Sequence, residues 1–228
     1  MDSDGFLISP LFQIGPVVIT STIVTTWLIM AALAVISWSV TRRLRLEPGP
    51  AQAALEGIVG VIEESVDEVA GKQTRLILPF VGTLWIFLVV ANLAGLIPGL
   101  HSPTRDLSAT AALALLVFFS THWFGIRTDG LKAYLHHYLT PSPILLPFHL
   151  VSEITRTVAL AIRLFGNMMS LELAALLILL VAGFLAPVPI LMLHIVEALV
   201  QAYIFGMLAL IYICSGIQAQ QARAKEKE

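Results

Sequence analysis

The chain has 228 residues, 57% of them hydrophobic and only 12% charged, with a mean hydropathy of +0.88. A water-soluble domain of this length carries about 25% charged residues, so the composition excludes that class and places the chain among membrane proteins. A formal net charge of −2 leaves no electrostatic footprint for nucleic acid, and one cysteine, Cys214, excludes an internal disulfide and any multi-cysteine metal site.

The stretch "MDSDGFLISP" has acids where a leader needs positive charge, so no cleaved signal is expected. The first apolar run, about 16 to 40, exceeds the ~20 helical residues needed to cross a bilayer. It stops at Arg42, Arg43 and Arg45, ahead of Pro48 and Pro50. Leu55, Ile58, Val59, Ile62, Val66 and Val69 then recur at helical spacing, while Glu56, Glu63, Glu64, Asp67 and Glu68 fill the other face. This predicts an amphipathic interfacial helix over 50–72. Lipid-surface helices are usually rich in Lys and Arg, so the acidic face points to a partner subunit.

A second span is predicted over about 76–97, closed by "GLIPG". The loop "LHSPTRD" leads to a third span over about 107–126, with Asp106 or Ser108 as N-cap. Residues 127–148 are too polar and proline-broken to cross. The last third holds two long helical runs, about 149–185 and 190–218, separated by "GFLAPVP", and the tail "QQARAKEKE" reads as frayed. The fold class expected is an all-α membrane protein with about five crossing helices plus the interfacial one, the last two helices forming a long tilted hairpin. A single integral membrane domain, 1–228, divides into a first span with basic flank (1–48), the amphipathic helix (50–72), a hairpin (75–127), a polar-lined hairpin (149–218) and a tail (219–228).

Lys and Arg in the loops set orientation. With five crossings, one side carries Arg42, Arg43, Arg45, Lys72, Arg75, Arg127, Lys132, Arg223, Lys225 and Lys227, and the other carries Arg105 alone. The asymmetry predicts an outside N-terminus and a cytoplasmic C-terminus. Arg156 and Arg163 fall inside the fourth crossing.

That crossing also holds Glu153, Asn167 and Glu172, and the fifth holds His194, Glu197 and Gln201. An ionisable group at bilayer centre costs roughly 2.5–3.5 kcal/mol and marks an ion path by default. At 100° per residue Arg156, Arg163 and Asn167 share a stripe, with Glu172 on nearly the opposite face, and His194, Glu197 and Gln201 share another. A hairpin centred near Gly183 brings Glu172 to His194 and Arg163 within a turn of Gln201; a turn on Pro187 slides that register. Glu and His pass protons through water, whereas a guanidinium keeps its charge and repels a cation beside it. Titratable groups flanking an arginine therefore suit a gate.

Each residue also has a structural reading. Glu153 and Arg156 suit an i,i+3 pair or snorkelling near a helix end. Glu197 is a path residue or a local partner, and Gln201 and Asn167 could be plain interhelical hydrogen-bonders. Asn92 reads as structural beside Gly95 and Pro98, and Asp106 as a cap or a channel-mouth acid. His122, His136, His137 and His149 show no ligand spacing, so no metal site and no cofactor are expected. A haem-bearing anchor would need paired deep histidines, and only His194 is deep. A secondary transporter would show inverted repeats, which are absent here.

"RLFGN" followed by a glutamate, then "HIVEALVQAYIF", resembles subunit a of F-type rotary ATP synthases, and "ANLAGLIPG" with "SPTRDLSAT" is similar to that family's second and third spans. The resemblance covers about residues 75–217. It implies a bacterial inner-membrane stator subunit without catalysis of its own, beside a ring of c subunits and the peripheral-stalk b subunits. Two half-channels would lead ions to and from the ring carboxylate. Arg163 matches the arginine that meets that carboxylate, Glu172 and His194 the pair lining the outer half-channel, and Gln201, Asn167 and Asn92 the motif amides. Leu171 stands where the family often has glycine, and Glu197 is an additional acid. The Glu172–His194 combination points to protons, with sodium as the alternative coupling ion.

Overall fold

A computed structural model of the chain describes residues 10–14, 17–42, 49–97, 102–130, 146–183, 186 and 188–224. The acidic N-terminal stretch, the segment holding His136 and His137, and the last four residues lie outside the described residues.

Two short strands come first, β1 (Pro10–Ile14) and β2 (Val17–Thr20), paired antiparallel with Gln13 opposite Val18. The first span was expected to start at about residue 16. Instead Val17, Val18, Ile19 and Thr20 extend, as β-branched side chains favour, and α1 begins at Ser21 and runs to Thr41. Helix α1 is apolar all round, which gives it no face to bury; Ile29 is its one buried residue.

Helix α2 (Pro50–Ala70) opens with proline at its first position, where the missing N–H costs nothing, and ends at Gly71 with φ 53°. The amphipathic reading holds over the second half of α2, where Val66 is fully buried, Ile62 and Val69 pack beside it, and Glu63, Glu64, Asp67 and Glu68 stay exposed; Ile58 and Val59, expected on the same face, are exposed. A single tight turn, Gly71–Gln73, redirects the chain into α3 (Thr74–Leu93). Ile77, Val81, Leu84, Trp85, Leu88, Ala91 and Asn92 form one buried stripe along α3. Two more single turns follow, Ala94–Leu96 and Pro103–Arg105. Helix α4 (Leu107–Asp129) starts at Asp106, whose carboxylate accepts from the Ser108 N–H at 2.9 Å, the expected cap.

Helices α5 (Leu146–Ala182) and α6 (Val188–Ala224) are 37 residues each, about 55 Å long at 1.5 Å per residue. A hydrocarbon core is about 30 Å thick, so neither fits upright. Gly183, at φ 85°, ends α5. Helix α6 runs beyond the predicted end at 218, into the stretch expected to fray, and α5 starts three residues early.

Helices α3, α4, α5 and α6 enclose one core of Leu88, Leu164, Met168, Ala202 and Phe205, among others. A second cluster joins α2 to α3 and α6 through Val66, Ile77, Trp85, Ile213 and Ile217. Small residues on α6 make this possible. Trp85 lies flat enough on Gly206 that a Cβ there would fall inside the indole, and the same ring stacks on Tyr203 at 5.7 Å between centroids. Five helical stretches are long and apolar enough to cross a membrane, which makes the chain a multi-pass, all-α membrane protein apart from its short hairpin.

Candidate functional site

Two polar layers sit inside this bundle. The first surrounds Asn92, which has no exposed surface. Its amide Nδ2 donates to the Ala198 carbonyl of α6 at 3.1 Å, and its Oδ1 accepts from the Thr104 hydroxyl at 2.8 Å. Ser102 Oγ lies 2.6 Å from Thr104 Oγ1 and 2.9 Å from the Ala91 carbonyl, and its single proton serves one of the two. Helix α3, the loop after it and α6 are thereby joined. Sequence reasoning named Asn92 but missed Ser102 and Thr104, whose partners lie 11 and 12 residues back.

The second layer is the seam between α5 and α6. Asn167 Nδ2 donates to Gln201 Oε1 at 2.7 Å. That bond puts the pivot of the hairpin beside Gly183, as expected, and excludes the slid register on Pro187. Gln201 is 1% exposed and His194 2% exposed. Gln201 Nε2 and His194 Nε2 are both buried without a hydrogen-bond partner among the described residues. Glu197 lies between them on α6, half-buried, and is likewise unpaired there.

Glu172 does not pair with His194. Its Oε2 accepts from Arg105 Nη1 at 2.7 Å, with the carboxylate side chain 14% exposed and the guanidine 26%. Its Oε1 lies against Gly95, where an added Cβ would approach to 3.3 Å. The expected pairing considered two helices facing each other. It left out the Pro103–Arg105 turn, which packs onto α5 and offers a full charge, a stronger partner than imidazole. The signal for Arg105 was present: the count of Lys and Arg in the loops assigned it alone to one side.

Arg163 also departs from the expected layer with Gln201. It is exposed, and it makes no ion pair or hydrogen bond among the described residues. It stands on a stripe of α5 with Ser152, Arg156, Ala159, Gly166 and Ser170, spaced so that all lie within about 40° of one line. Gly166 has open space where a side chain would be. Large apolar side chains flank the stripe, with Val158 47% and Ile162 56% exposed.

Nearer the start of α5, Glu153 meets His122 of α4 at 3.3 Å, and the Arg156 guanidinium lies over the Tyr212 ring at 5.6 Å. The i,i+3 pair of Glu153 with Arg156 is therefore replaced by two interhelical contacts. Sequence reasoning gave His122 no role. Along α5, Glu172 lies nine residues from Arg163 towards the turn, about 13 Å, and Glu153 ten residues the other way, about 15 Å. Titratable groups thus stand on either side of a guanidinium, with packed Leu160, Ala161, Leu164 and Met168 on the inner face between them. Such a layout sets a permanent positive charge, which repels a cation, between two sets of titratable groups.

The chain matches the family model for the ATP synthase A chain across residues 23–214. It is 64% identical to ATP synthase subunit a 2 of Pelobacter propionicus over 218 residues, 96% of each chain. It is 65% identical to ATP synthase subunit a 1 of Hahella chejuensis over 216 residues, 95% of this chain and 92% of that one. ATP synthase subunit a of Legionella pneumophila is 54% identical over 226 residues, covering 99% and 98%.

Proposed function

The chain belongs to the ATP synthase A chain family, and from that premise we propose how it moves ions: as the stator subunit whose two half-channels open against a rotating ring of c subunits. It is the ion-translocating membrane subunit of its complex and is not catalytic alone. One observation carries the reading. A guanidinium in the middle of a membrane helix faces outward, on a stripe of small residues, with no counter-charge among the described residues. Leaving that charge against lipid is costly. The small residues let another helix approach closely, and the group that satisfies Arg163 is a carboxylate of that helix.

The mechanism is electrostatic. Arg163 holds a deprotonated ring carboxylate until an ion from one half-channel neutralises it and frees the ring to turn. The turn brings the next loaded carboxylate to Arg163, whose charge expels its ion into the other half-channel. Glu172, His194, Glu197 and the Asn167–Gln201 pair line the route towards the α5–α6 turn, on the outer side; Asn92 and Asp106 hold its walls. The proton is the coupling ion in this reading, because the seam offers a buried imidazole nitrogen with no partner among the described residues, and imidazole is a proton carrier by chemistry. The charge asymmetry of the loops supports a cytoplasmic C-terminus in a bacterial inner membrane, and the acidic face of α2 suits the peripheral-stalk b subunits.

The test is ATP-driven ion uptake into inverted vesicles carrying the whole complex, read with a potential-sensitive dye at varied sodium. Arg163→Ala is expected to assemble and abolish uptake, and wild-type uptake to be indifferent to sodium. Coupled uptake without Arg163 would sink the reading; sodium dependence would replace the proton by sodium and leave the rest.

A further inference from the structure

We propose that Arg105 is a tethered counter-cation: it neutralises and aims Glu172 on the outer route so that no mobile metal cation settles there. The inference rests on the half-channel reading of Glu172 given above.

A carboxylate with little exposure inside a membrane protein needs a compensating charge. Glu172 could draw it from a passing ion, and a hard cation such as sodium or calcium takes carboxylate and hydroxyl oxygens readily. Arg105 removes the need. Its guanidinium sits 2.7 Å from Oε2 and comes from the short turn Pro103–Arg105, whose neighbours are fixed: Ser102 and Thr104 belong to the hydrogen-bonded layer around Asn92, and Asp106 caps α4. The arginine therefore rests on a rigid base and holds a defined position. Gly95 completes the socket, since any side chain there would crowd Oε1. The carboxylate is drawn towards this socket, on the side of α3 and the loop. Across the seam, His194 of α6 keeps an unpartnered Nε2, and Glu197 is the other titratable group of α6 in that stretch. The passing ion is thus left to groups that are not already neutralised, and Glu172 shapes the field around them.

The experiment loads inverted vesicles with calcium, so that the outer face of the whole complex meets it, and reads ATP-driven uptake with the potential-sensitive dye. Wild type is expected to tolerate calcium, and Arg105→Gln to be half-inhibited at a concentration lower by about tenfold. Arg105→Lys restores tolerance, and Arg105→Gln with Glu172→Gln removes the added sensitivity. Titrations of Arg105→Gln and wild type that superimpose would overturn the proposal, as would a sensitivity that survives in the double variant. If Arg105→Gln does not assemble, Glu172→Gln is compared with the double variant. The single change strands a charge on the route and is expected to be the slower of the two; a double variant no faster than it overturns the proposal. A merely structural role for Arg105 moves neither comparison. Arg163→Ala, run alongside, separates the two failures: uptake lost there while the Arg105 comparisons are flat leaves the half-channel reading standing and this inference rejected.

Discussion

The layer around Asn92 and the seam between α5 and α6 are both buried and polar, yet they are built differently. Around Asn92 each hydroxyl, amide and carbonyl meets a partner, and the network ties three segments together. In the seam, Gln201 Nε2 and His194 Nε2 have none among the described residues, and Arg163 turns outward altogether. A satisfied network specifies a structure, because breaking it strands groups in low dielectric. An unsatisfied one costs stability unless water, an ion or a partner group completes it. The contrast separates framework from route more sharply than residue type does.

Three substitutions test that division, beginning with the largest expected effect. Asn92→Leu removes two buried hydrogen bonds, leaving Thr104 with Ser102 and the Ala198 carbonyl with its own helix, and should destabilise the chain by about 2–3 kcal/mol. Thermal melting of the purified complex should fall accordingly, and an unchanged melt would place Asn92 outside the framework. Gly206→Ala should cost about 1–3 kcal/mol through overpacking against Trp85, with part of the loss recovered by adding Trp85→Leu. No recovery in the double variant would mean that the contact is not what limits that position. His194→Leu should barely move the melt, within about 0.5 kcal/mol, since it removes an unpaired group. It should nevertheless slow ion uptake by about a hundredfold, the scale of losing a proton-transfer group. A large stability loss with normal uptake would put His194 in the framework instead.

Much of this was legible in the sequence. Run lengths gave the spans, turn chemistry gave the Asp106 cap and the Gly183 pivot, and helical spacing gave the stripes. Periodicity says which residues share a face but not which face turns inward, so Arg163 was expected beside Gln201 and instead points out of the bundle. Pairing arguments also treated α5 and α6 as though they were alone. Arg105, His122 and Thr104 come from a loop or another helix, and contacts across long sequence separations leave no local pattern to read. The strand pair before α1 was missed for the opposite reason: a short apolar run fits either conformation, and its length was credited to the helix.

The Asn92 layer also sets an order of assembly. Its partner Thr104 emerges 12 residues later, but the carbonyl of Ala198 follows 106 residues behind. At ordinary rates of synthesis that interval is roughly 5–20 s. Through it, Thr104 is the partner that the described residues offer to the Asn92 side chain. Insertion of the early helices and completion of the bundle are therefore distinct events in time. The last helix made is the one that closes the structure, so a chain interrupted before residue 198 is left with the Asn92 Nδ2 lacking its carbonyl partner as its mark of incompleteness.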